Sequence, residues 1–313
     1  MPGPLRKPVR NILDLVGDTP MLQLTSIAGP NDADVFVKLE SLNPGGSVKD
    51  RLGVGMIARA ERDGLLKKGG TLIEPTAGNT GIGLALAGVR MGYRVILCVP
   101  EHFSVEKREV MKALGGEVVL TPKDAGIRGA IKKAEELAAD IPNSYVPQQF
   151  RNVYNSETHY ATTAPEIWEQ MDGRVDAFVT GAGTGGTFTG VARFLRERNP
   201  DVYCVVVQPQ GSVFTGGEPG PHEVEGIGSS FIPPVLDLSL ANEVITINDE
   251  PAFAMVARLA AEEGILGGSS SGANVAAAIQ VARKLGPGKR LVTIIPDAAE
   301  RYMSKGIFTK WKK

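Results

Sequence analysis

A lysine behind a glycine-rich turn is the first residue in this chain that suggests covalent chemistry. Lys49 follows Gly45 and Gly46 within residues 43–51. A helix that begins here would direct its positive dipole end at the lysine, which favours the neutral amine. A neutral amine can form a Schiff base with a carbonyl compound. The run lacks P-loop spacing, and on this spacing alone an ordinary solvated lysine remains the alternative.

A glycine-rich loop between a strand-like run and a helix-like run is a candidate phosphate site. Its residues are Gly181, Gly183, Thr184, Gly185, Gly186 and Thr187. Glycines allow close backbone approach, and a helix N-terminus offers unpaired N–H groups to an anion. The loop also satisfies G-x-G-x-x-G, but Gln208 stands where a dinucleotide site needs an acidic residue. We therefore expect phosphate binding, with NAD binding and a simple tight turn as alternatives.

Two further loops place polar groups at predicted helix starts. Residues 74–83 offer hydroxyls, an amide and N–H groups that suit a carboxylate, although Asn79 or Thr80 as a simple N-cap is the alternative. Residues 267–272 contain three consecutive serines, of which one either contacts a ligand or caps a helix. No G-x-S-x-G elbow is present, so a serine hydrolase is disfavoured.

These loops need elements that bring them together, and the sequence predicts alternating strands and helices. Strands are predicted at 35–39, 71–74, 94–99, 117–120, 175–180, 203–207, 243–247 and 290–295. Helices are predicted at 104–114, 127–139, 156–171, 187–198, 251–263 and 270–285. Several strands are unbroken Val/Ile/Leu runs, which is typical of parallel strands buried on both faces. The pattern predicts an α/β fold with ligands at the carboxyl ends of its strands.

Composition and charge exclude several classes of protein. The chain has 313 residues with a net charge of −1, so it lacks the basic excess of a nucleic-acid binder. No apolar run approaches the length of a membrane span, and the N-terminus shows no secretory signal, which makes the cytoplasm the expected location. Cys98 and Cys204 form no disulfide framework, and the three histidines lack metal-ligand spacing, so no metal is expected.

Six motifs occur in order, and together they resemble one enzyme family. They are residues 47–51 (SVKDR), 74–81 (EPTAGNTG), 148–150 (QQF), 183–187 (GTGGT), 226–228 (GIG) and 270–272 (SSG). The chain is similar to fold-type II pyridoxal-phosphate enzymes of the cysteine synthase (O-acetylserine sulfhydrylase) and cystathionine β-synthase group. The resemblance extends from Gly17 to Tyr302.

The resemblance implies a role for each loop. Lys49 would hold pyridoxal 5′-phosphate as a Schiff base, Asn79 would contact the ring hydroxyl and Ser270 would face the pyridine nitrogen. The phosphate would be bound by Gly183, Thr184, Gly185, Gly186 and Thr187. The substrate would be contacted by Thr76, Ala77, Gly78, Thr80, Gln149 and Gly228.

The resemblance also implies a fold and an assembly. Two three-layer α/β lobes with mostly parallel twisted sheets, as in the tryptophan synthase β subunit, would enclose the active site between them. The smaller, mobile lobe would comprise residues 45–150, and the larger, cofactor-anchoring lobe residues 1–44 and 151–313. A homodimer is expected.

The expected reaction is β-replacement, which forms L-cysteine from O-acetyl-L-serine and sulfide through an aminoacrylate. Residues 224–228 and 295–297 are closer to the cystathionine β-synthase branch. Cystathionine formation from homocysteine with O-acetylserine or serine is therefore the alternative, and a serine or threonine dehydratase is a third. Because Lys49 is retained, a non-catalytic relative is disfavoured.

Overall fold

The structure, a computed structural model, describes residues 8–76 and 78–309 and contains two sheets. The large sheet has the order β1-β2-β10-β7-β8-β9, and the small sheet has the order β5-β4-β3-β6. The strands are β1 Met21–Gln23, β2 Asp34–Leu39, β3 Thr71–Pro75, β4 Arg94–Pro100, β5 Glu117–Thr121, β6 Ser144–Tyr145, β7 Ala177–Gly181, β8 Tyr203–Pro209, β9 Glu243–Ile247 and β10 Arg290–Ile295. Apart from the antiparallel β1–β2 pair, the paired strands of the described chain are parallel.

Helices cover both faces of each sheet. They are α1 Lys49–Arg62, α2 Asn79–Arg90, α3 Val105–Ala113, α4 Gly126–Asp140, α5 Tyr154–Ala161, α6 Thr163–Gln170, α7 Gly186–Arg198, α8 Asp249–Glu263 and α9 Ser269–Leu285. A 3₁₀ helix, Ala299–Lys305, follows β10. Within the described residues, no helix is long and apolar enough to cross a membrane.

The burial of alternate strand residues explains the three-layer arrangement. In β7, Val179 joins a core with α8 and α9, whereas its neighbour Phe178 joins a core with α6 and α7. In β3, Leu72 packs with α1 and α2, whereas Ile73 packs with α4. Each sheet therefore buries apolar side chains on both faces, as its unbroken hydrophobic strands predict. The predicted α/β fold with mostly parallel sheets is confirmed.

The predicted elements match the structure with one main exception. Strands 243–247 and 290–295 have the predicted bounds, and Ser104 caps α3 by accepting a hydrogen bond from the N–H of Lys107. The single helix predicted over 156–171 is wrong, because α5 and α6 are separated at Thr162. Pro165 has no N–H to donate to the carbonyl of Ala161, so an α-helical hydrogen bond is lost at this point.

The two sheets, to which the predicted lobes correspond, are built from different parts of the chain. Residues 71–145 supply the small sheet, whereas residues 21–39 and 177–295 supply the large sheet. The chain therefore begins the large sheet, builds the small one and then returns. The boundaries at residues 45 and 150 remain predictions.

Candidate active site

A cavity of about 470 Å³ lies where the predicted loops meet. A volume of this size is ordinary for a small-molecule site. The predicted site residues that line it are Lys49, Thr76, Gly78, Asn79, Thr80, Gln149, Gly183, Thr184, Gly228 and Ser270. A smaller recess shares Lys49 and Gly183 with the cavity and extends to Gly185 and Thr187. The tertiary structure thus brings together groups that are up to 221 positions apart in the chain (Lys49 and Ser270).

Among the described residues, one predicted site residue does not line this space. Gly186 lies behind the recess, where a Cβ would meet the side-chain oxygen of Asn155 at 1.9 Å. Its N–H donates to the hydroxyl of Thr184 at 3.4 Å, so Gly186 supports the loop from behind. Ala77 lies outside the described residues, and its predicted contact with substrate remains a prediction.

Lys49 is the first residue of α1, which is the position that the glycine-rich turn predicts. Loss of hydration in the cavity lowers the pKa of its amine, against the opposing charges of Asp297 and Glu40. Within the described chain, no hydrogen bond or ion pair to its Nζ is formed. Lys49 therefore presents an amine with a lowered pKa to the cavity, as Schiff-base chemistry requires.

The loop before α7 has the shape of an anion cradle. Gly185 is the N-cap and has φ +86°, a conformation that favours glycine. A Cβ on Gly183 would meet the carbonyl oxygen of Gly226 at 2.5 Å, so this position also needs glycine. The first N–H groups of α7 have no partner within the helix, and the helix dipole adds positive potential there.

A buried histidine supports this loop from below. The Nε2 atom of His159 lies 3.2 Å from the hydroxyl oxygen of Thr187, and its Nδ1 atom lies 2.9 Å from the hydroxyl oxygen of Thr163. Burial lowers the pKa of His159 well below its ordinary value, and the charges of Lys49 and Arg51 lower it further. The ring is therefore neutral and can orient the Thr187 hydroxyl.

The loop before α2 is organised around Gln149. The Thr80 hydroxyl donates to the Gln149 side-chain oxygen at 2.6 Å, which leaves the Gln149 amide N–H groups to donate into the cavity. Behind them, Glu74 accepts hydrogen bonds from the N–H groups of Gln148 at 2.9 Å and of Gln149 at 3.2 Å. Burial raises the pKa of Glu74 to about 7 although these two donors oppose the rise.

Asn155 connects the two loops. Its side-chain N–H groups donate to the backbone oxygen of Gln149 at 2.8 Å and to the hydroxyl of Thr184 at 2.9 Å. Only 1% of Asn155 is exposed, so both hydrogen bonds are shielded from water. The residue therefore holds the Gln149 segment and the α7 loop in a fixed relation.

The cavity fits the cofactor that the sequence implies. The residues that would hold pyridoxal phosphate are the glycines of the α7 loop for its phosphate and Lys49 for its aldehyde. Ser270 is 2% exposed, and its hydroxyl has no hydrogen-bond partner among the described residues. It can therefore donate a hydrogen bond to a ring nitrogen. The cradle without Cβ atoms and the two partnerless polar groups, on Lys49 and Ser270, are the observations that carry this fit.

The cavity is also lined by residues that were not predicted as site residues. Among them are Phe103, Lys107, His222, Glu225, Asp297 and Tyr302. Asp297 had a usable signal, because it follows the carboxyl end of the predicted strand 290–295, where open α/β sheets bind ligands. Lys107 had none, since a lysine within an amphipathic helix is most often solvated.

The chain is similar to known proteins over nearly its whole length. A family model described as "Pyridoxal-phosphate dependent enzyme" matches residues 12–297. An O-acetylserine dependent cystathionine beta-synthase of Bacillus subtilis (strain 168) is 50% identical over 300 residues, which cover 96% of this chain and 98% of the relative. A cysteine synthase of Staphylococcus aureus (strain Mu50) is 47% identical over 306 residues, which cover 97% and 98%.

A solved structure gives the same result for the fold. The crystal structure of an O-acetylserine dependent cystathionine beta-synthase from Helicobacter pylori superposes with a TM-score of 0.92 at 47% identity. The match covers 97% of this chain and 100% of that chain.

Proposed function

The chain belongs to the pyridoxal-phosphate dependent enzyme family, and from that premise we propose that it replaces the β-substituent of O-acetyl-L-serine with a sulfur nucleophile. In the core reaction sulfide displaces acetate from O-acetyl-L-serine, so the Cβ–O bond breaks, a Cβ–S bond forms, and the products are L-cysteine and acetate. One observation carries the proposal. Lys49 lies on the cavity wall between an anion cradle and a loop of hydroxyl and amide donors, so one small amino acid can be held at both ends.

The residues divide the work of binding. The donors at the start of α2, with Thr76, Thr80 and the Gln149 amide, bind the substrate carboxylate. The α7 loop would hold the phosphate of the cofactor and so orient the bound donor relative to Lys49. Bound pyridoxal phosphate supplies an electron sink that weakens the bonds at the substrate α-carbon.

Lys49 moves the proton. Burial lowers the pKa of its amine, which makes the neutral form easier to reach, and the neutral amine would take the α-proton of the bound donor. Ser270 would offer a neutral hydroxyl to the ring nitrogen, where an aspartate would stabilise a full positive charge. A hydroxyl there would leave the cofactor a weaker electron sink, which suits loss of a β-substituent.

A second candidate function is supported by the cavity wall. Lys107 and Glu225 form an ion pair with 3.1 Å between Nζ and Oε2, and Lys107 is only 4% exposed. Burial would raise the pKa of Glu225, but the charges of Lys107 and Lys305 hold it below its ordinary value. A carboxylate and an ammonium group side by side complement the zwitterion of an amino-acid thiol. Homocysteine, which would yield cystathionine, is therefore a second nucleophile of this site.

A competition assay tests the choice of nucleophile. O-acetylserine is supplied with mixtures of sulfide and homocysteine, and cysteine and cystathionine are quantified. We expect both products, because a methylene-scale change in a pocket alters the discrimination between two ligands by only about 1–3 kcal/mol. In Glu225→Gln the ratio of cystathionine to cysteine should fall, whereas the exposed control Glu135→Gln should leave it unchanged. If saturating homocysteine yields no cystathionine, the second function is wrong and the first stands.

Assembly, mobility and location complete the proposal. Residues 45–150 move as a smaller lobe that closes over bound substrate, since the carboxylate loop and the phosphate loop belong to different sheets. The family resemblance supports a homodimer. The free, buried cysteines Cys98 and Cys204 suit a reducing cytoplasm.

A further inference from the structure

We propose that Asp297 and Arg301 are positioning residues that fix the side-chain amide of Asn79 with one N–H directed at the ring oxygen of the cofactor. The inference rests on the proposed place of Asn79 beside that oxygen. It assigns a role to two residues of the segment after β10, which the sequence motifs do not include.

The contacts of Asn79 determine the orientation of its amide. Its Nδ2 atom donates to Oδ2 of Asp297 at 2.6 Å, and its Oδ1 atom accepts from Nη1 of Arg301 at 2.5 Å. Rotation of the amide by 180° would set its NH₂ group against a guanidinium and its oxygen against a carboxylate. Both contacts would then be repulsive, so the charges permit one orientation. The second N–H of Nδ2 stays available to the cavity, which Asn79 lines.

Asp297 and Arg301 are themselves held firmly. The Tyr302 hydroxyl donates to Oδ2 of Asp297, and Nη2 of Arg301 donates to the carbonyl of Gly45. Only 2% of Asp297 is exposed, and its Oδ1 atom has no hydrogen-bond partner among the described residues. A buried carboxylate with an unpartnered oxygen is costly, which argues for a role beyond packing.

Backbone hydrogen bonds tie this segment to the turn that carries Lys49. The N–H of Val48 donates to the carbonyl of Pro296 at 2.8 Å, and the N–H of Ala298 donates to the carbonyl of Gly46 at 3.3 Å. Gly46 has φ +76°, and a Cβ there would meet Nη2 of Arg301 at 2.7 Å. Asn79 is thus positioned relative to Lys49 through Asp297 and Arg301.

The consequence concerns the protonation of the cofactor. An N–H donor at the ring oxygen stabilises the deprotonated oxygen, whereas a rotated amide would present its carbonyl oxygen and favour the protonated form. The positive charge of Arg301 on the amide oxygen also polarises the amide and strengthens the N–H donor. Each protonation state of the ring oxygen gives its own absorption band, with the deprotonated form at the longer wavelength. Asp297 and Arg301 therefore set the ratio of these two bands in the resting, cofactor-loaded enzyme.

The test is the absorption spectrum of the purified holoenzyme, with cofactor content and thermal unfolding measured on the same samples. In Arg301→Met the ratio of the long- to the short-wavelength band should fall about fivefold, as expected for one net hydrogen bond, while the cofactor is retained. The isosteric Asp297→Asn should change the ratio in the same direction. Lys305→Met is the control, because it removes a cation from the same 3₁₀ helix. The Lys305 ammonium contacts Glu225 and not Asn79, so the band ratio should stay unchanged.

A coupling measurement separates the inference from its premise. In an Asn79→Ala background, Arg301→Met should have no further effect on the band ratio, because Arg301 acts through Asn79. An unchanged ratio in Asn79→Ala alone would overturn the placement of Asn79. A changed ratio in Asn79→Ala with an unchanged ratio in folded Arg301→Met and Asp297→Asn would overturn the role of the pair and leave the proposed function intact.

Discussion

The loop before α7 and the loop before α2 face the same cavity but are held in place by different means. The α7 loop depends on glycines in tight backbone contact, as Gly183 shows by its approach to the carbonyl of Gly226. At the α2 loop, a Cβ on Gly78 would meet nothing within 4 Å. That loop is instead held through its neighbours, where the Glu74 carboxylate binds two N–H groups.

The difference indicates two modes of ligand binding. A loop shaped by steric contacts between backbones is already formed before its ligand arrives, which suits a cofactor that stays bound. A loop with free space around it and a titratable support can adjust, which suits a substrate that enters and leaves in every cycle. Lys49 lines both the cavity and the recess, and in the proposed function it acts on the ligands of both loops.

Lys49→Ala should have the largest effect, because the proposed function gives this residue a role toward the ligands of both loops. We expect turnover to fall by about 10³-fold or more, since both covalent attachment and proton transfer depend on this amine. The measurement is steady-state cysteine formation together with the visible absorbance of the purified protein. The exposed control Lys67→Ala should behave as wild type, and full turnover by Lys49→Ala would refute the assignment.

Alanine at the two glycines tests the contrast directly. In Gly183→Ala the new Cβ would meet backbone, so cofactor affinity should fall about 100-fold, near the upper end of overpacking costs. In Gly78→Ala the new Cβ has open space and φ is −144°, so cofactor affinity should be unchanged. Because Gly78 lines the cavity at the carboxylate loop, the added methyl group should raise KM for O-acetylserine. The measurements are equilibrium binding of the cofactor to stripped enzyme and steady-state kinetics. Equal losses of cofactor affinity would show that the loops do not differ in this way.

Glu74→Gln tests the titratable support of the α2 loop. The pKa of Glu74 is about 7 in the folded protein and has an ordinary value of 4.5, so the native state binds this proton more tightly than the unfolded state. Between these values the free energy of unfolding should therefore fall as pH rises, by about 3 kcal/mol in total relative to the glutamine variant. Urea unfolding from pH 4.5 to pH 8 measures the difference.

The control for this experiment is a carboxylate in contact with water. Glu135 is exposed on α4, and Glu135→Gln should follow the wild type throughout the pH range. A constant difference between wild type and Glu74→Gln at every pH would contradict the role of ionisation.

Asn155→Ala should give the smallest of these effects and should affect the ligands of both loops, because Asn155 connects them. It removes the hydrogen bonds to the Gln149 backbone and the Thr184 hydroxyl, which should cost about 1–3 kcal/mol of stability. Cofactor affinity and KM for O-acetylserine should both worsen. Asn199→Ala, which removes a side-chain hydrogen bond to Val175, should reduce stability without changing either ligand constant. A change confined to one ligand would show that the loops are independent.

Much of the fold could be read from the chain because the signals are local. Apolar runs such as the one within Tyr203–Pro209 indicate buried parallel strands, and Ser104 marks the start of α3 because its own side chain caps the helix. The division at Thr162 was missed, although Pro165 was a visible warning. The short strand Ser144–Tyr145 could not be predicted, because two residues carry no periodicity.

The candidate site also has one part that the sequence predicts and one part that only the tertiary structure shows. The sequence by itself determined which loops carry Lys49, Asn79, Gly183 and Ser270, since glycines, hydroxyls and helix starts leave their mark within a few residues. The tertiary structure decided which groups hold them. Arg301 meets Asn79 across 222 positions and Glu225 meets Lys107 across 118, so no local pattern records either contact. The packing of the two sheets brings these partners together, because electrostatic attraction depends on the distance between charges in space and not on their separation along the chain.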